Sequence, residues 1–260
     1  MDNRSRNSLG LFLRHPRTSI QWYLADRKIV PPWESRAYGS KAELRDFARR
    51  MNKNFKLCTW APHPEYSVFT QYDQKFYLGQ KEEFLHKYRC FYAVSKTISA
   101  RKIIELGMHA GAGADAYLSG SPTASYVGID AFEAGPWFQG VVHEITGEPW
   151  RPREVAERLF ESRGFANYEL IQANLRELQT LPYKADFVVV DGAHDFDNQY
   201  ADLKLALTAE PEYIFVDDAD DEKQAKPAIE AFLSQDVAGR VSFIHAVSYI
   251  GGGLVIKLRK

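Results

Sequence analysis

The chain has 260 residues, 45% of them hydrophobic and 13% aromatic, and a formal net charge of -1. That composition excludes disordered, collagen-like and disulfide-stapled classes, and the balanced charge offers no basic field for nucleic acid. Cys58 and Cys90 lack the spacing of a metal knuckle or a disulfide framework, so they read as free thiols in a reducing compartment. No apolar run reaches the roughly 18 residues of a membrane span, and no signal-type segment opens the chain. The expectation is a cytoplasmic enzyme with no membrane partner.

The first 28 residues carry Arg4, Arg6, Arg14, Arg17, Arg27 and Lys28 against Asp2 and Asp26. They read as a solvated basic face on a short helical extension rather than a presequence. Ser40 and Glu43 have capping-box spacing, and Leu44, Phe47, Ala48 and Met51 repeat as one helical face. A second helix is predicted over residues 80–97, with Phe84, Tyr88, Phe91, Tyr92 and Ser95 as its stripe. Between them, Leu57 to Leu78 holds Pro62 and Pro64 and reads as an irregular connection.

The texture changes near residue 100. Residues 1–100 form an aromatic-rich, mainly helical N-terminal extension that could cover a substrate pocket or a homodimer interface. Residues 101–260 alternate β-branched runs with helical stretches. Strands are predicted at Lys102 to Leu106, Tyr126 to Asp130, Tyr168 to Ile171, Asp186 to Val190, Tyr213 to Asp217, Val241 to His245 and Leu254 to Leu258. The expected fold class is α/β: a Rossmann-like seven-stranded sheet, mostly parallel, with helices on both faces. The last strand is antiparallel because Tyr249 and Gly251 to Gly253 leave too short a link for a crossover helix.

The strongest local signal is Glu105 at a strand end followed by Gly107, Gly111 and Gly113. Glycines there let a ligand approach the backbone, and the helix expected at 114–118 offers free N–H groups to an anion. The spacing differs from the dinucleotide form G-x-G-x-x-G. Asp130 ends the second strand, where a carboxylate can accept hydrogen bonds from ribose hydroxyls.

These residues resemble the class I S-adenosylmethionine-dependent methyltransferase family. Within it they resemble the branch of small-molecule and sugar O-methyltransferases with a D-G-x-H signature. The matching pieces span residues 102–258: Ile104 to Gly107 with Gly111 and Gly113, Val127 to Asp130, Val190 to His194 with Asp202 and Leu203, and Phe215 to Asp218. The resemblance implies that Glu105 and the glycines surround the methionine part of the cofactor. It implies too that Asp130 binds ribose and that Asn174 lies beside adenine, where many members carry an acid. Met108, His109, Ala131, Phe132 and Asp191 complete the expected cofactor-binding set.

In this topology Asp191, Asp217 and Asp218 face the transferred methyl. Three converging carboxylates repel unless a cation joins them, and Mg²⁺ or Ca²⁺ suits such ligands. The alternative is that Asp217 and Asp218 cap the next helix. His194 could take the proton of an acceptor hydroxyl, with Asp191 as its catalytic neighbour, or could cap a helix at 195–209. His143 and His245 belong to no constellation. Phe132 to Trp150, with Trp137, Phe138 and His143, reads as a lid over a small-molecule acceptor pocket.

The expected activity is methyl transfer to a hydroxyl of a natural product, sugar or phenol. Two enzyme rivals share the scaffold: a nicotinamide-dependent oxidoreductase and a cephalosporin hydroxylase-like enzyme. A non-catalytic partner subunit would have lost Glu105, the glycines or Asp130. The nucleophile elbow, Walker lysine and H-E-x-x-H motifs of other enzyme classes do not occur.

Overall fold

The computed structural model describes residues 33–66, 79–133, 151–221 and 223–259. The basic residues of the first 28 positions, and Trp137, Phe138, His143 and Trp150 of the expected lid, lie outside them. Among the described residues no helix is long and apolar enough to cross a membrane.

After a two-residue strand β1 (Arg36–Ala37) comes helix α1 (Lys41–Lys56). The Ser40 side chain caps α1 by accepting the Glu43 N–H at 3.3 Å. The reciprocal half of the capping box does not form, because the Glu43 carboxylate turns away to accept from Ser242 Oγ and to pair with Lys257 Nζ. Helix α2 (Lys81–Ile98) follows, with every residue of its expected stripe buried.

The α/β region then runs β2 (Lys102–Leu106), α3 (Ala112–Gly120), β3 (Ser125–Asp130), α4 (Pro152–Arg163), β4 (Tyr168–Gln172) and β5 (Phe187–Val190). It continues with α5 (Phe196–Leu207), β6 (Tyr213–Asp217), α6 (Ala225–Gln235), β7 (Val241–Val247) and β8 (Gly253–Leu258). The strand order is β1-β7-β8-β6-β5-β2-β3-β4. Strands β2 to β6 are mutually parallel, and β8 is inserted antiparallel between β6 and β7. The sheet has eight strands rather than the expected seven, because β1 pairs antiparallel with the edge of β7. So short a pairing carries no period-2 signal to read in advance.

Alternation along the strands splits the core into two layers. Ile103, Tyr126, Phe187 and Phe215 pack with α1, α2, α3 and α4, whereas Ile104, Val127, Val188 and Val216 pack with α5 and α6. Phe47 of α1 and Phe91 of α2 are each 1% exposed, so both N-terminal helices contribute to the first layer. Helix α5 is capped by Asp195, whose Oδ1 accepts from the Asn198 N–H, and not by His194. Ahead of α6 the N–H groups of Lys223 and Gln224 are taken by Asp221, so Asp217 and Asp218 do no capping there.

Candidate active site

The carboxyl ends of β2, β3, β5 and β6 meet along one rim of the sheet. Gly107 leaves β2 at φ +83°, and a Cβ there would lie 2.3 Å from the Asp191 carbonyl oxygen, so only glycine lets β2 and β5 close. Gly111 (φ +80°) opens α3 at its N-cap. Between them His109 sits at φ 47° and donates its backbone N–H to Asp130 Oδ2 at 2.8 Å. The other oxygen, Oδ1, accepts from the Phe132 N–H at 2.6 Å. Asp130 thus joins the turn after β2 to the end of β3, with carboxylate lone pairs left over for a ligand.

A cavity of about 300 Å³ lies beside this joint, lined by Gly107, His109, Asp130, Asn174, Arg176 and Asp191 among others. Ala131 lines it as well. Asn174 caps a short 3₁₀ turn by accepting from the Arg176 N–H at 3.1 Å, which fixes it at the cavity wall. A larger cavity, about 910 Å³, lies among Arg101, Lys102, Lys184 and Asp186 at the opposite, amino ends of the strands. It touches none of the rim residues, and ligands of open α/β sheets bind at the carboxyl ends.

Five of the expected cofactor contacts, Glu105, Met108, Gly111, Gly113 and Phe132, do not line the cavity. Glu105 is 1% exposed and accepts the Tyr126 hydroxyl at 2.5 Å. Burial pushes its carboxyl up to about 8, helped by the charges of Asp217 and Asp130 and opposed by Tyr126. A Cβ on Gly113 would lie 2.8 Å from Glu105 Oε1, so that glycine makes room for the buried acid. Met108 is 3% exposed, its sulfur filling the space that a side chain on Gly128 would take. Phe132, at φ 53°, packs on the first core layer.

The D-G-x-H segment has a local physical reason. A Cβ on Gly192 would meet Asp202 Oδ2 at 2.5 Å, and that same oxygen accepts the Ala193 N–H at 3.5 Å. Burial raises the Asp202 carboxyl to about 6, with the Ala193 N–H opposing.

At the far end of the rim the acids converge. Ligating atoms of Asp191, His194 and Asp218 lie within 4.8 Å of one another, with His194 Nε2 3.7 Å from Asp218 Oδ2. Asp217, expected with Asp191 and Asp218 as a metal ligand, does not join this group. Its side chain is fully buried, its Oδ1 accepts the Tyr249 hydroxyl at 2.6 Å, and its Oδ2 faces Lys87 Nζ at 2.7 Å. Lys87 Nζ also lies 3.4 Å from Asp218 Oδ1. A divalent ion on Asp191, His194 and Asp218 would compete with this ammonium for Asp218, so the acids fit the ion poorly while Lys87 is in place. Burial and the Asp217 charge hold the carboxyls of Asp191 and Asp218 above the usual range, with Lys87 opposing.

Lys87, Tyr249 and Arg176 are the site residues that motif reading missed. For Lys87 a signal existed, since it falls three residues after Phe84 and four before Phe91, on the buried face of α2.

No protein-family model matches the chain, and no curated protein matches it. Among solved structures, the fold is similar to that of the methyltransferase PaMTH1 of Podospora anserina, solved with SAH bound. The identity there is 14% over 88% of this chain and 100% of that one, with a TM-score of 0.51. It is similar also to the O-methyltransferase TomG of Streptomyces achromogenes, involved in tomaymycin synthesis and solved with SAM. In that case the identity is 14% over 83% of this chain and 99% of the other, with a TM-score of 0.51. At such identities the likeness establishes a shared fold.

Proposed function

We propose that this chain is an S-adenosylmethionine-dependent methyltransferase acting on a hydroxyl of a small molecule. The observation that carries the reading is the cavity at the carboxyl ends of the strands, where Asp130 bridges a glycine turn lacking dinucleotide spacing. Two solved structures of the same fold hold SAH or SAM, as expected of such a cavity.

Asp130 would take the ribose hydroxyls, Asn174 and Arg176 would flank the base, and the backbone of Gly107 and His109 would meet the amino-acid end. When bound, S-adenosylmethionine supplies a methyl on a positively charged sulfur, which leaves as a neutral thioether. The chain's own residues then act through geometry, holding the acceptor oxygen in line with that methyl and receiving its proton. His194 is exposed at the rim beside Asp218, and its imidazole accepts the hydroxyl proton. Asp191 bounds both the cavity and the group of acids, so it separates the cofactor from the acceptor.

The test is calorimetric titration of S-adenosylmethionine, and of NADH as control, into the whole chain and into Asp130→Ala. We expect S-adenosylmethionine to bind and the variant to lose about tenfold to a hundredfold in affinity, the scale of one or two charge-assisted hydrogen bonds. Preferential binding of NADH, or equal affinity in the variant, would overturn the reading.

A further inference from the structure

We propose that Lys87 is the built-in cation of the acceptor site, its ammonium holding the strand-end acids together so that they take no divalent ion. The inference deepens the methyl-transfer reading and rests on it for the meaning of the site.

Asp191, Asp217 and Asp218 bring three carboxylates to the ends of two neighbouring parallel strands, and such a group needs a positive partner. Helix α2, outside the α/β region, supplies one. Its buried stripe packs on β6 through Phe91 against Phe215, and Lys87 extends from that face with a side chain only 12% exposed. The ammonium lies 5.5 Å from the ring centre of Phe91 and 5.7 Å from that of Tyr249, so aromatic walls hold it. From there it reaches Asp217 Oδ2 at 2.7 Å and Asp218 Oδ1 at 3.4 Å. Tyr249 closes the far side of Asp217 through its hydroxyl.

The ammonium donates one hydrogen bond, to Asp218 Oδ1, and is held against Asp217 Oδ2 as an ion pair. Its fixed positive charge at this place would favour the oxyanion developing on an acceptor as a metal would. A lysine cannot be removed by a chelator, and it competes for Asp218 with any ion drawn to Asp191 and His194.

The experiment uses Mn²⁺ alone as probe, titrated into the full chain and followed by electron paramagnetic resonance. Wild type, Lys87→Ala, Lys87→Met and the double variant Lys87→Ala with Asp218→Asn are compared, and each is also tested for S-adenosylmethionine binding. We expect wild type to bind Mn²⁺ at least about tenfold more weakly than Lys87→Ala, with the gain lost in the double variant. Lys87→Met fills the stem space without the charge and should gain Mn²⁺ affinity as well. Wild-type binding as tight as in the variants would overturn the proposal. Should the variants fail to fold, wild type decides alone: micromolar Mn²⁺ affinity sinks the proposal, and its absence supports it. Failure of the methyltransferase reading would appear separately, as absent S-adenosylmethionine binding in wild type.

Discussion

Gly107 and Gly164 both adopt left-handed backbone, at φ +83° and +73°, yet they bear different loads. A Cβ on Gly164 meets nothing within 4 Å, so Gly164→Ala should cost only the left-handed strain, about 1–2 kcal/mol. On Gly107 the same atom falls 2.3 Å from the Asp191 carbonyl, a backbone group that cannot swing aside. Gly107→Ala should therefore part β2 from β5 and abolish S-adenosylmethionine binding, while Gly164→Ala leaves it intact. Calorimetry beside denaturant unfolding separates the two, and equal loss of binding in both would refute the distinction. His109, Phe132 and Asp218 also hold positive φ without being glycine, at 47°, 53° and 48°. Only Ser99 and Glu210 share that property elsewhere among the described residues, so the strain gathers on the rim, as it does where surrounding structure imposes a site geometry.

At the scale of elements, β2 and β3 share a buried proton. Glu105 in the folded chain titrates near 8, above its ordinary 4.5, because it is buried beside other acids. The folded state therefore keeps a proton that the unfolded state gives up between those values. That contribution to stability is complete below about 4.5 and is lost as pH rises through about 8. Glu105→Gln should flatten the decline, read as denaturant midpoints across the window. Parallel slopes for the two proteins would mean that Glu105 does not carry it. Strands and helices of this region were legible in the sequence because buried parallel strands are continuous β-branched runs, as in Phe187–Val190. The capping-box residues marked the start of α1, but the destination of the Glu43 side chain was not readable. Its partners Ser242 and Lys257 are some two hundred residues away, and no local pattern encodes such a pairing.

For the whole molecule, the same contrast divides the candidate site. The cavity is lined by residues whose motifs can each be read locally: the glycine turn, Asp130, Asn174 and the D-G-x-H segment. The cluster of acids cannot be read so, since it draws Lys87 from α2, Asp217 and Asp218 from the end of β6 and Tyr249 from the link to β8. Residues 1–100, read as an extension, supply α1 and α2 to the first core layer, with Phe47, Phe91 and Tyr92 each at most 2% exposed. Residues 101–260 alone would expose the face those helices cover, and we expect that fragment to bind a hydrophobic dye and to lack cooperative unfolding.

The pairing of Arg36–Ala37 with β7 has a consequence for solubility. Seven residues long and rich in β-branched and aromatic side chains, β7 would otherwise end the sheet as a bare template for another chain. The short strand acts as a doorstop. A chain beginning at Gly39 loses β1 together with the buried Trp33, and should gain concentration-dependent self-association through β7, visible in light scattering as a rise that the whole chain does not show.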